Sequence, residues 1–234
     1  MKSTVDEIRQ RFDRDVERFA NLETGQRAAV DGRLMMDLVA AAAAATNPDA
    51  SRLLDVGCGA GNYALRLLHE APGLQVDLVD LSRPMLDRAV QRLEDATPHP
   101  VTAWQGDIRT LPLDAGRYDI IVAAATLHHL RGEDEWAHVF GKLYDALVPG
   151  GSLWIADLVA HSTRAVHALM WQRYEAYLEQ VEDAAYRDRV VAYIEKEDTP
   201  RPLMFQVDLL RTAGFRDVEI LHKRSAFAAF GGVK

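Results

Sequence analysis

Only one cysteine, Cys58, occurs in the chain, so no disulfide can form within it and a secreted disulfide scaffold is excluded. Long apolar runs are missing too. The nearest, LVAAAAAAT over Leu38–Thr46, falls short of the roughly 18 to 20 residues that cross a bilayer and reads as a packed helix. The first residues, MKSTVDEIRQRFDRD, carry charges where a secretory signal needs its apolar stretch. These absences predict a cytoplasmic chain with no membrane partner. Positive charge is also scarce: 27 Lys and Arg stand against 35 Asp and Glu, a formal net charge of −8, which argues against a broad grip on nucleic-acid phosphates. Apolar side chains, in contrast, make up 48% of the 234 residues, enough for a substantial core. No internal repeat, low-complexity linker or second boundary interrupts them, so residues 1–234 read as a single domain, monomeric or homodimeric.

Short β-branched runs alternate with segments of helical period, the pattern of βαβ units and a mainly parallel sheet. Strands are expected at Arg52–Val56, Gln75–Asp80, Val101–Gln105, Tyr118–Ala124 and Ser152–Asp157. Helices are expected from about Asn62 to His69, from Ser82 as N-cap with Pro84 in the first turn, and through Trp136–Leu147. From about His161 to Asp198 the pattern changes to long, charged, aromatic-bearing helices, read as an insertion over residues 158–200. The chain then returns to type, with a helix over Phe205–Ala213 capped by Gly214 and an antiparallel hairpin of Val218–Lys223 and Phe227–Gly232.

The segment LLDVGCGAGNYALRLL ends a strand, turns on Gly57, Gly59 and Gly61, and opens a helix. Glycines allow the backbone to turn sharply and approach a ligand, and the helix N-terminus offers unpaired N–H groups. Asp80 ends the second strand about twenty residues on, where a carboxylate can accept from both ribose hydroxyls; an aspartate there also serves as a helix N-cap. Asp107, in QGDIRTLP, is placed to accept from an adenine amino group or to make a plain turn. A nucleoside ligand accounts for both together. The loop lacks the Lys-Ser or Lys-Thr pair of a triphosphate site, having Asn62 and Tyr63. It runs G-C-G-A-G rather than G-x-G-x-x-G, and Asp55 just before it would repel a pyrophosphate. S-adenosylmethionine carries no phosphate but a sulfonium and an amino group, which suit carboxylates.

The successive segments LDVGCGAG, LVDLSRPML, GDIRTLP, YDIIVAAATLHHL and LVPGGSLWIADL resemble the motifs of class I S-adenosylmethionine-dependent methyltransferases, closely over Ser51–Asp157. The resemblance implies a Rossmann-like seven-stranded α/β sheet in the order 3-2-1-4-5-7-6, strand 7 antiparallel, with helices on both faces and a helical cap. It implies that Asp55, Gly57, Gly59 and Gly61 hold the methionyl end, Asp80 the ribose, Leu81 and Met85 the purine faces, and Asp107 with Ile108 the adenine. Ala124 would contact the cofactor through its backbone, Cys58 would pack against it, and S-adenosyl-L-homocysteine would be the product.

Methyl transfer is an in-line displacement, so the protein mainly aligns the acceptor and excludes water. His128 and His129, just past the fourth strand, lie at the carboxyl edge of the sheet where ligands bind. A neutral imidazole at His128 could take the acceptor's proton, or the pair could simply pack on the cofactor. No metal is expected, because magnesium prefers an acidic cluster that His128, His129 and Asp157 do not supply. The N-terminal residues 1–46 resemble a lid and first helix, from which Arg11 or Arg14 could meet the methionyl carboxylate. His161, His167, Trp171, Tyr174, Tyr177 and Tyr193 of the insertion are acceptor-pocket or core residues; Trp171 and Tyr174 share a helix face and are expected to look onto the acceptor. The N-terminus, WQRY and the last residues also resemble the branch that makes carboxy-S-adenosylmethionine for transfer-RNA modification, although that branch's glycine loop is not reproduced. A non-catalytic binding protein on the same fold is the remaining alternative.

Overall fold

A computed structural model describes residues 2–234; Met1, the first residue of the expected lid, and the side chains of Leu22 and Glu23 lie outside the description. Four N-terminal helical segments, α1 (Val5–Phe12), α2 (Val16–Ala20), α3 (Leu22–Gly25) and α4 (Gly32–Thr46), precede β1 (Arg52–Val56). The core then runs α5 (Asn62–Glu70), β2 (Gln75–Asp80), α6 (Arg83–Glu94), β3 (Val101–Gln105), β4 (Tyr118–Ala124), α7 (Glu133–Ala146) and β5 (Leu147–Leu158). Helices α8 (Arg164–Val181) and α9 (Ala184–Glu197) fall within the stretch expected to be an insertion. They are followed by α10 (Leu203–Ala213), β6 (Asp217–Arg224) and β7 (Phe227–Val233). The seven strands lie in the order β3-β2-β1-β4-β5-β7-β6, with β7 antiparallel to both neighbours, as expected. No helix among the described residues is long and apolar enough to cross a membrane.

Successive residues of a strand point to opposite faces, and the core divides accordingly. Leu53, Val76, Leu78, Ile120 and Val122 pack toward α4, α5 and α6, while Leu54, Val56, Val79, Ile121 and Ala123 pack toward α7 and α10. Such two-sided burial explains why the central strands are continuous apolar runs rather than alternating ones. The local chemistry of the caps fixes the helices at the sheet's carboxyl edge. Ser82 Oγ accepts from Met85 N at 3.3 Å to start α6, and Thr4 and Glu7 form a reciprocal capping box at the start of α1.

The N-terminal segment and the insertion are joined. Tyr174 Oη donates to Ala28 O at 2.9 Å, Tyr177 Oη to Arg27 O at 3.1 Å, and Arg27 pairs with Glu182 at 3.0 Å. At the other end, Ser3 N donates to Lys196 O at 3.2 Å and Lys2 donates to the carbonyls of Glu195 and Asp198. The Arg11 guanidinium lies 3.0 Å from Glu197 and 4.2 and 4.0 Å from the Phe12 and Tyr193 ring centres.

Candidate functional site

Two adjoining cavities open at the carboxyl ends of β1, β2 and β4, sharing walls at Gly57, Asp80, Leu81, Thr126 and His129. The first, of about 380 Å³, has Val56 and Val79 at its base and Asp80, Asp107 and Ile108 on its sides. Val5 and Ile8 of α1, with Ser3 and Thr4 just before it, cover it. The second runs past Asp55, Gly59 and Met85 to His128 and is closed by Phe12, Phe19 and Met35.

The glycine loop is wound to leave this space. Gly57 has φ +66° and its amide donates to Val79 O at 2.7 Å; a Cβ there would stand 2.0 Å from Thr126 Oγ1. Asp80 ties the loop to the next strand, with Oδ2 accepting from Gly59 N and Oδ1 from Ser82 N, both at 2.8 Å. A carboxylate has about four acceptor positions, so room for a ligand donor remains. Burial pushes Asp80 up to about 6 against the pull of those amides. Asp55, 1% exposed, accepts from Ala64 N at 3.2 Å and is pushed up to about 7 by burial and by Asp80. A buried and a half-buried carboxylate that resist ionisation form a site that gains from a cationic ligand. Asp107 differs: Arg109 Nε lies 2.9 and 3.0 Å from its oxygens, and Arg109 and Lys142 outweigh burial to hold it below the usual range.

Beyond β4 the chain turns sharply through Ala125, at φ +50°, a left-handed conformation costly to a residue with a Cβ. Asp157, at the end of β5, organises that turn. Its Oδ2 accepts from Leu127 N at 2.9 Å and its Oδ1 contacts His128 Nδ1. Asp198, just after α9, reaches the same place from the cap, 3.7 Å from His128 Nε2 and 3.3 Å from His129 Nδ1. Thr199 N donates to His128 O at 2.7 Å.

A family model described as a methyltransferase domain matches residues 53–151. An uncharacterized methyltransferase of Mycobacterium tuberculosis is 35% identical over 112 residues, 48% of this chain and 53% of that protein. The 2-phytyl-1,4-naphtoquinone methyltransferase of Nostoc punctiforme is 28% identical over 165 residues, 69% and 70% of the two chains. Among solved structures, the Burkholderia thailandensis 1,6-didemethyltoxoflavin-N1-methyltransferase, with its substrate and S-adenosylhomocysteine, matches all of this chain and 92% of its own at TM-score 0.66 and 16% identity. Residues 53–151 thus resemble a methyltransferase domain, and the likeness to the solved structures is one of fold. The chain spans about half the length of the first of the curated relatives it matches.

Most residues singled out by the methyltransferase motifs meet at the two cavities: Asp55, Gly57, Cys58, Gly59, Asp80, Leu81, Met85 and Ala124 with Asp107 and Ile108. Gly61 does not line them. At φ +80° it caps α5, and a Cβ there would press on Ala89 at 3.2 Å, so its lack of a side chain serves turning and packing. Cys58 is buried with its thiol pushed well up by burial and by Asp80 and Asp55, which leaves it inert.

The insertion corrects the sequence reading most. Tyr174, expected to face the acceptor, is 1% exposed and packs edge-on to Phe227 with its hydroxyl spent on Ala28. Trp171 stacks on His167 beside an outer groove, and His161 accepts from Lys223 at 2.7 Å; neither lines the cleft. The face shared by Trp171 and Tyr174 is the one by which α8 binds the core. Arg11 is engaged with Glu197, and Arg14 is exposed, so neither arginine reaches into the cavities. Instead the N-terminal Phe12 and Phe19 line the cleft, a role that single aromatics in two short charged helices do not announce.

The histidine pair does line it, with Asp157 engaging His128 Nδ1. Burial works against charge on that ring, yet Asp157 and Asp198 prevail and push it up to about 9. His129 is held below its ordinary value by burial and by His128.

Proposed function

We propose that this chain moves a methyl group from S-adenosylmethionine to a small organic acceptor. The observation that carries the reading is the pair of adjoining cavities roofed by the chain's own α1, Phe12 and Phe19, with carboxylates placed along their length. Asp80 and Asp107 fit the ribose and adenine, and the depth and raised pKa of Asp55 fit the cationic end of the methionyl group. The cofactor, when bound, supplies an electrophilic methyl on a sulfonium. The chain's residues do the remaining work. Phe12, Phe19 and Met35 exclude water and give the acceptor an apolar wall, and His128 and His129 stand where its nucleophilic atom and proton would be handled. A covered cleft of this size suits a small molecule, in keeping with the naphtoquinone and demethylmenaquinone methyltransferases among the relatives.

The test is calorimetry followed by an acceptor screen. S-adenosylmethionine and S-adenosylhomocysteine should bind, NAD and ATP at least tenfold more weakly, and hydroxylated aromatic acceptors should release S-adenosylhomocysteine. Failure of S-adenosylmethionine to bind defeats the reading. Mass spectrometry showing a carboxylated cofactor in the purified protein would move it to the carboxy-S-adenosylmethionine branch.

A further inference from the structure

We propose that His128 Nε2, His129 Nδ1 and Asp198 Oδ1 form a binding site for one divalent cation of the zinc or cobalt type, between the cap and the carboxyl edge of the sheet. These three residues offer ligand atoms that all lie within 4.8 Å of one another, at 3.7 Å (His128 to Asp198) and 3.3 Å (His129 to Asp198). A tetrahedral ion with bonds of about 2.0–2.1 Å places its ligand atoms about 3.4 Å apart, close to the two distances to Asp198, and the two imidazoles, within 4.8 Å of each other, close on the ion by side-chain rotation.

The polar bookkeeping points the same way. Asp198 is 4% exposed, yet its Oδ1 has no hydrogen-bond partner, and neither ring nitrogen of His129 has one. The 3.3 Å approach of His129 to Asp198 therefore lacks the alignment of a hydrogen bond. Buried polar atoms without partners are costly, and an ion would satisfy two of these at once. His128 has the second feature expected of a metal-binding histidine: Asp157 engages its Nδ1 and so turns Nε2 toward the site, where the ion would take the place of the Nε2 proton, which is released on binding. Two imidazoles and one carboxylate suit zinc, cobalt or ferrous iron rather than magnesium, which prefers oxygen.

The site joins segments distant in sequence. His128 and His129 follow β4, Asp198 closes α9, and the Asp198 carbonyl accepts from Lys2 at the N-terminus. An ion there would clamp cap and lid to the sheet. Both imidazoles line the cleft whereas Asp198 belongs to the outer wall, so the position left open by three protein ligands faces the acceptor space, where an acceptor oxygen is the natural fourth ligand.

Cobalt titration of the chelator-treated chain tests this without cofactor or acceptor, so its outcome is separate from that of the methyl-transfer reading. One Co²⁺ per chain should bind with the intense visible absorption of a tetrahedral ion, be displaced by Zn²⁺, and raise the thermal midpoint. Asp198→Asn and His129→Gln should each weaken binding by at least about a hundredfold, and Asp157→Asn, which leaves all three ligands in place, by about 10- to 100-fold. Circular dichroism and S-adenosylhomocysteine binding of each metal-free variant check that it is folded. Absence of stoichiometric cobalt binding, or unchanged affinity in folded Asp198→Asn and His129→Gln, overturns the proposal.

Discussion

The carboxylates of the cleft make cofactor affinity depend on pH in a direction that can be worked out. Asp80 rises from an ordinary 3.8 to about 6, chiefly through burial, and Asp55 to about 7. A folded-state value above the unfolded one means that the folded chain favours the protonated form. The resulting contribution to stability is fully present below about pH 3.8 and is lost as pH rises through 6 and 7. For Asp80 the rise corresponds to at most about 3 kcal/mol. The unliganded chain therefore carries two groups that favour mild acid, opposite to the usual behaviour of paired carboxylates. A cationic ligand reverses the preference, because it binds the ionised forms, and each carboxylate still protonated must release its proton on binding. Affinity for S-adenosylmethionine should consequently fall at least about tenfold between pH 8 and pH 5, with net proton release near pH 6. Calorimetry in two buffers of different ionisation enthalpy measures both quantities. His129, held below its ordinary value, would add an effect of the same sign, so Asp80→Asn, which removes one titrating carboxylate, should show a smaller proton release at pH 6. Affinity that is flat or rises toward acid, or an Asp80→Asn variant that releases as many protons as the parent, would refute the argument.

The sheet and its glycine loop were legible because each rests on local patterns: apolar runs at β1, β2 and β4, Ser82 and Pro84 at the start of α6, and Gly214 at φ +114° at the end of α10. Asp80 and Asp107 were expected at the carboxyl edge because strand ends alone determine their place, and both line the first cavity. What failed depends on how the insertion packs. Helical spacing correctly put Trp171 and Tyr174 on one face, but spacing does not say whether that face meets a ligand or the protein; here Tyr174 meets Phe227 and Ala28. Asp198 was invisible for a related reason. It lies in the charged run EKEDTP, which reads as solvated until the fold buries it against two histidines some seventy residues earlier.

Three further perturbations separate the local from the tertiary part of this account. Gly57→Ala should cost more than about 3 kcal/mol in urea unfolding and abolish S-adenosylhomocysteine binding, since a Cβ would meet Thr126 Oγ1 at 2.0 Å in a left-handed residue; a change under about 0.5 kcal/mol would contradict the loop geometry. Tyr174→Phe should lose about 1 kcal/mol with an unchanged acceptor KM, because only the bond to Ala28 goes, whereas a raised KM with stability intact would restore Tyr174 to the pocket wall. The last concerns the latch at Arg11, whose guanidinium lies against Phe12 and Tyr193 and 3.0 Å from a Glu197 that is 5% exposed. Removing the half-buried Arg11 leaves the buried Glu197 without its cation, at a cost of at most about 3–5 kcal/mol, and α1, which roofs the first cavity, is the element that can move to rehydrate it. Arg11→Ala should therefore speed S-adenosylhomocysteine dissociation at least about tenfold in stopped flow, and replacing both partners, Arg11→Met with Glu197→Leu, should restore slow release because no charge is then left buried. Dissociation at the parent rate in Arg11→Ala would mean that α1 is held down by its other contacts and that Arg11 and Glu197 do not gate the cleft.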